Sequence, residues 1–185
     1  MNTIFYKYST IAFALVFATL FTSCDSTEPD DDGAGEQEFI TRVILTLVGG
    51  GDTVTATADD PDGDGADLDI ETLNLTAGVT YTGSIELADD INNEDVTEEV
   101  EAESDVHQFF YTVGGGAAGR ATVTITDEDD NGLPVGLAYT VDVSAGGAAD
   151  GTLRVILSHF DEEPKNGTDQ SDETDVDVTF PVNIQ

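Results

Sequence analysis

Asp60-Pro-Asp62-Gly-Asp64-Gly65-Ala66, followed by Glu71, places carboxylates at positions one, three, five and twelve of a loop, with a glycine at six. This is the spacing with which a chain wraps a calcium ion. The aspartates and one backbone carbonyl supply hard oxygens, a bidentate glutamate closes the shell, and the glycine permits the sharp turn. Asp60, Asp62, Asp64, the carbonyl of Ala66 and Glu71 are the expected ligands. Two features point elsewhere. The flanking residues alternate as strands do, where a calcium hand needs helices, and Asp67 stands where an apolar residue would tie the loop to a core. The competing reading is a strand connection rich in Asp and Gly.

A second acidic stretch, Asp127-Glu-Asp129-Asp130-Asn131-Gly132, has Ala138 at its twelfth place and so lacks the closing carboxylate. It reads better as a turn, with Asn131-Gly132 supplying the left-handed positions and Pro134 a rigid one. The inventory for catalysis is thin, and the expectation is of no catalytic residue. His107 and His159 are the only side chains that titrate near neutrality, and no serine stands in a Gly-x-Ser-x-Gly elbow. His107 lies in phase with Phe109 and Tyr111, and His159 with Leu153, Val155 and Leu157, so both read as core or sheet-end histidines. Gly114-Gly-Gly-Ala-Ala-Gly119 has no helix behind it to present N–H groups to a phosphate, and reads as a mobile hairpin tip.

The chain carries 39 Asp and Glu against 5 Lys and Arg, a net charge of -34. Nucleic acid is excluded as a partner, because phosphate binding needs clustered Lys and Arg to release counterions, and adhesion to anionic lipid by charge is excluded with it. Such a surface resembles those of proteins from salt-loving bacteria, where repulsion is screened once the Debye length falls from ~10 Å at 0.1 M to ~3 Å at 1 M salt. With Cys24 as the one cysteine, no intramolecular disulfide can form, and the core must stand without covalent staples.

At the start of the chain Lys7 precedes the apolar run Ile11 to Phe21, which is too short to span a bilayer as a helix, and Thr22-Ser23-Cys24 follows. This resembles the lipobox of bacterial lipoproteins, with Phe21 in place of the usual leucine. The resemblance implies removal of residues 1–23 and attachment of lipid to Cys24. Residues 24–37 are acidic and lack apolar periodicity, so they read as a solvated tether. Their acidic run behind the cysteine also resembles the surface-export signal of Bacteroidota lipoproteins. Residues 38–185 then form one domain.

That domain is written in period two, broken by Gly, Asp and Asn clusters. Phe39, Val43, Leu45 and Leu47 share one face of a first strand, which turns at Gly49-Gly-Gly-Asp into Thr53–Ala58. Leu73 and Leu75 lead into Val79–Leu87 as a second hairpin. Val96 and Val100 are four apart behind Asn93 and Asp95, which predicts a short capped helix crossing between sheets. Alternation resumes over 106–113, 121–126, 137–143, 152–159 and 176–184. The prediction is an all-β fold, a two-sheet antiparallel sandwich of immunoglobulin-like size with eight or nine strands and one short helical crossover. Pro181 cannot donate to a ladder, which puts the last strand at an edge or the proline at a bulge.

Ile40–Leu47, Asp60–Gly65, Leu75–Leu87, Val96–Val100, His107–Tyr111, Leu153–His159 and Asp172–Phe180 together resemble a family of small Bacteroidota lipoproteins. Its members are often labelled as a type 1 periplasmic binding fold superfamily. That label implies a two-lobed α/β structure and a small-molecule ligand, and the βαβ rhythm such a structure needs is absent here. The sequence therefore points to a lipid-anchored envelope lipoprotein, at the outer membrane or cell surface. It would be a non-enzymatic binding or structural module, with an unidentified small-molecule, glycan or protein ligand and no cofactor. The alternatives are a calcium-dependent adhesion or ligand-binding domain and an envelope hydrolase.

Overall fold

In the computed structural model of the protein, residues 39–185 are described apart from Asp64 and Glu162. The signal segment, Cys24 and the tether lie outside the described residues. Ten strands and one helix follow in order: β1 (Arg42–Gly49), β2 (Asp52–Asp59), β3 (Asp69–Ile70), β4 (Leu73–Leu75), β5 (Thr80–Ala88), α1 (Val96–Ala102), β6 (His107–Gly115), β7 (Ala121–Ile125), β8 (Ala138–Val143), β9 (Ala149–His159) and β10 (Glu173–Ile184). They form a two-sheet sandwich. One sheet runs β3-β2-β1-β5-β8-β7 and the other β4-β10-β9-β6. Among the described residues no helix is long and apolar enough to cross a membrane.

Alternation explains the layers. Val43, Leu45 and Leu47 of β1, Ile85 and Leu87 of β5, and Tyr139 and Val141 of β8 turn inward from one sheet. Phe109, Val155, Leu157, Val178 and Phe180 turn inward from the other, all buried in one cluster. Burial of each large side chain contributes about 1.5–3 kcal/mol. Gly50 and Gly51 both have positive φ, 63° and 90°, and close β1 onto β2 in the two-residue turn that matches strand twist. The helix starts at Asp95, whose side chain accepts from the Thr97 N–H. Val96 and Val100 are its buried face, and Thr97 Oγ1 bonds both the N–H and the carbonyl of Leu87, docking the helix on β5. It carries the chain from one sheet to the other, as expected.

Four readings need correction. β4 and β5 are not a hairpin: β4 pairs in parallel with β10, in the opposite sheet from β5, because Leu73 and Leu75 are buried from the far layer. The sandwich is accordingly not wholly antiparallel. Phe39 lies ahead of β1 and is exposed. Pro181 lies on a strand with neighbours on both sides, but the β4 pairing begins only at Val182, one residue later. Gly114–Gly119 is not a free tip. It joins strands of different sheets, the Gly116 N–H bonds the Asp150 carbonyl, and Ala117 is fully buried.

That crossover works because Gly151 lets two backbones touch. A Cβ there would fall onto the Gly114 carbonyl oxygen and onto Ala117. Gly151→Ala should cost about 1–3 kcal/mol through overpacking. A urea titration checks this, with a lowered midpoint at unchanged slope as the expected result.

Candidate functional site

At one end of the sandwich the first residue of β6 faces the last residue of β9, so His107 and His159 are cross-strand partners. Their rings stack with centroids 4.4 Å apart and planes 27° from parallel. Both are sealed from solvent, at 0% and 1% exposure. The helix brings in a third group. Glu103 is the C-cap of α1, and its carbonyl accepts from the Val106 N–H and from His107 Nδ1 at 3.1 Å. A carbonyl can only accept, so this bond puts the proton on Nδ1 and leaves the His107 Nε2 lone pair bare in the neutral ring.

What Nε2 faces is a carboxylate. Between Thr174 and Val176 the β9–β10 register slips, which makes Asp175 the extra residue of a bulge. The bulge turns its side chain inward, to 1% exposure. Its Oδ2 lies 3.6 Å from His107 Nε2 and 3.9 Å from His159 Nδ1. On the other side, Asp161 Oδ1 stands 3.0 Å from His159 Nε2, at an angle short of a hydrogen bond. Glu103 Oε2 and His107 Nε2 are buried without a hydrogen bond. Burial pushes the Glu103 carboxyl up, with His159 opposing and Glu99, Asp105 and Asp161 reinforcing the rise. Burial also pushes His107 down, to about 4, helped by His159 and opposed by its bond to the Glu103 carbonyl.

The segment between β9 and β10 covers this end. Gln108 Nε2 donates to the Gly167 carbonyl. Lys165 Nζ donates to the Ser104 carbonyl at 2.8 Å and to Asp129 Oδ2 at 2.9 Å, an ion pair buried on both sides. The second acidic stretch is thus a turn, as its sequence suggested. Asp129 Oδ1 accepts from the Asn131 and Leu133 N–H groups, and Asp127 accepts from those of Gly136 and Ala138. Burial pushes the Asp129 carboxyl up, but these bonds and Lys165 hold it below its ordinary value.

Two carboxylates of the 60–71 loop hold backbone N–H groups. Asp60 is buried, with Oδ1 accepting from the Gly63 N–H and Oδ2 from the Gly65 N–H, while Glu71 Oε2 accepts from Thr57 N–H at the edge of β2. Asp62 and Ala66 are exposed, and Asp64 lies outside the described residues. Among the described residues, Glu103, His107 and His159 are the one group of three whose ligand atoms lie within 4.8 Å of one another. The inward phase of both histidines was readable from alternation. Asp175 was not, because strict alternation with Val176, Val178 and Phe180 turns it outward and only the bulge reverses that.

No protein-family model matches the chain. No curated protein matches it either. Among solved structures, domains 4 and 5 of the S-layer protein SbsC are similar at 15% identity and a TM-score of 0.29. The likeness covers 71% of this chain, which spans 63% of that one.

Proposed function

We propose that the protein is a lipid-anchored, non-enzymatic module of the bacterial cell envelope, whose sandwich serves as a binding or structural body at the outer membrane or cell surface. The carrying observation is the order of residues at the start: Lys7, the apolar run Ile11 to Phe21, and Thr22-Ser23-Cys24. A net charge of -34 supports lipid as the hold on the membrane, since such a surface is repelled by anionic headgroups.

The non-enzymatic half of the reading is supported by where the titratable groups sit. Both histidines face inward among carboxylates. The cleft beside β1 and β10 is lined by the apolar Ile40, Val43, Leu68 and Val178, and its Arg42 and Asp60 are already engaged. Arg42 is paired with Asp59 and Asp90, and Asp60 with backbone N–H groups.

Protease shaving of intact cells, followed by mass analysis of the N-terminal peptide, tests the proposal. The expected result is a peptide beginning at an acylated Cys24 that stays with the cells while the sandwich is released. An unmodified Cys24, or intact protein free in the culture fluid, would overturn it.

A further inference from the structure

We propose that Glu103, His107 and His159, with Asp175, form a binding site for a divalent transition-metal cation of the zinc class, serving as a staple at the closed end of the sandwich. His107 Nδ1 is spent on the Glu103 carbonyl, so the bare Nε2 points at Asp175 Oδ2 across 3.6 Å. A divalent cation bound between an imidazole nitrogen and a carboxylate oxygen satisfies both. His159 repeats the arrangement: one ring nitrogen lies against Asp161, and the other, Nδ1, faces the same Asp175 oxygen at 3.9 Å. A backbone carbonyl accepting from the rear nitrogen, as Glu103 does for His107, is how metal-ligating histidines are oriented.

Glu103 Oε2 and His107 Nε2 lack hydrogen bonds, and a buried polar atom so left destabilises the fold. One cation satisfies both at once and offsets the charge of Glu103, Asp161 and Asp175. Ligands around a tetrahedral zinc at ~2.0–2.1 Å lie roughly 3.3 Å apart. The ligand atoms of Glu103, His107 and His159 lie within 4.8 Å of one another, and Asp175 Oδ2 is 3.6 and 3.9 Å from the two imidazoles, so side-chain rotations that unstack the rings close the shell.

The donor set selects the ion. Two imidazole nitrogens with carboxylates suit zinc and its neighbours, whereas calcium and magnesium take oxygen shells. A site closed by four protein groups, with both imidazoles buried, is structural in character. It ties the end of α1 to β6, β9 and the β10 bulge, in a chain whose single cysteine rules out an internal disulfide. Glu103 is only partly buried and Asp161 keeps 26% of its side chain exposed, which marks the side from which an ion reaches the pair.

The test is calorimetric titration of Zn²⁺ into the full chain after chelator treatment, at fixed ionic strength, with Ca²⁺ as the control and thermal melting alongside. The expected result is one Zn²⁺ per chain with a raised melting temperature that Ca²⁺ does not reproduce. Glu103→Gln, at the helix end where folding is least at risk, should weaken Zn²⁺ by about 10-fold or more. Co²⁺ should give the visible absorption of a low-symmetry, imidazole-ligated ion. Absence of Zn²⁺ heat and thermal shift would overturn the proposal. So would Zn²⁺ affinity unchanged in both Glu103→Gln and His159→Gln, or a Co²⁺ spectrum matching the hydrated ion, since each marks binding to surface aspartates.

Discussion

Lowering the pH from 7 to 4 at constant ionic strength, with chelator present, should remove about 3 kcal/mol of stability through His107 alone. Burial holds the imidazole pKa at about 4 in the folded protein, against 6.5 for an unperturbed histidine. Between those values the unfolded chain takes up a proton that the folded chain refuses. Stability therefore falls as pH drops through the window from 6.5 to 4 and levels off below it. Burial, His159 and Lys165 lower the His107 pKa, while the bond to the Glu103 carbonyl and Asp161 raise it. The raised Glu103 carboxyl works in the other direction, because its protonation favours the folded state and returns part of the loss in acid. Chemical denaturation at a series of pH values reads the slope. His107→Gln should flatten it between 6.5 and 4, and an unchanged slope in that variant would mean another group carries the loss.

Lys165→Met should destabilise the protein by about 3–5 kcal/mol, the cost of leaving a buried charge without its partner. The side chains of Lys165 and Asp129 keep 1% and 0% of their exposure, so water cannot replace the lost ammonium. Lys165 also holds the Ser104 carbonyl, just past the helix that carries Glu103. Its loss therefore frees the segment covering the histidines from two anchors at once. Adding Asp129→Asn should recover part of the loss, because the amide oxygen still accepts from Asn131 and Leu133 while the orphaned charge is gone. Equilibrium unfolding of the single and double variants decides this. Strict additivity of the two losses would contradict a coupled ion pair.

Much of the fold could be read from alternation because the core is built from it. Val43, Leu45 and Leu47, Ile85 and Leu87, and Leu153, Val155 and Leu157 are all buried on the faces their spacing assigns. The Asp95 cap and the Val96–Val100 pair marked the only helix among the described residues. Partner choice was less legible, since spacing fixes which face of a strand is apolar and says nothing about which sheet it joins. Leu73 and Leu75 alternate correctly, yet β4 lies beside β10 in parallel.

The histidine pair failed to stand out for a related reason. His107 and His159 are far apart in sequence, and only the β6–β9 register makes them neighbours. Asp175 depends on a bulge that no residue type announces. The calcium spacing of Asp60 to Glu71 was plain in the sequence, but spacing alone does not settle what the oxygens hold. In the fold Asp60 and Glu71 accept backbone N–H groups.

The His107 imidazole is closed inside the sandwich uncharged, with its acceptor nitrogen aimed at Asp175. Long-range proton–nitrogen correlation spectra of the metal-free protein at pH 7 observe this directly. The predicted result is a neutral His107 with its proton on Nδ1 and none on Nε2. An imidazolium at that pH, or a proton on Nε2, would contradict the account.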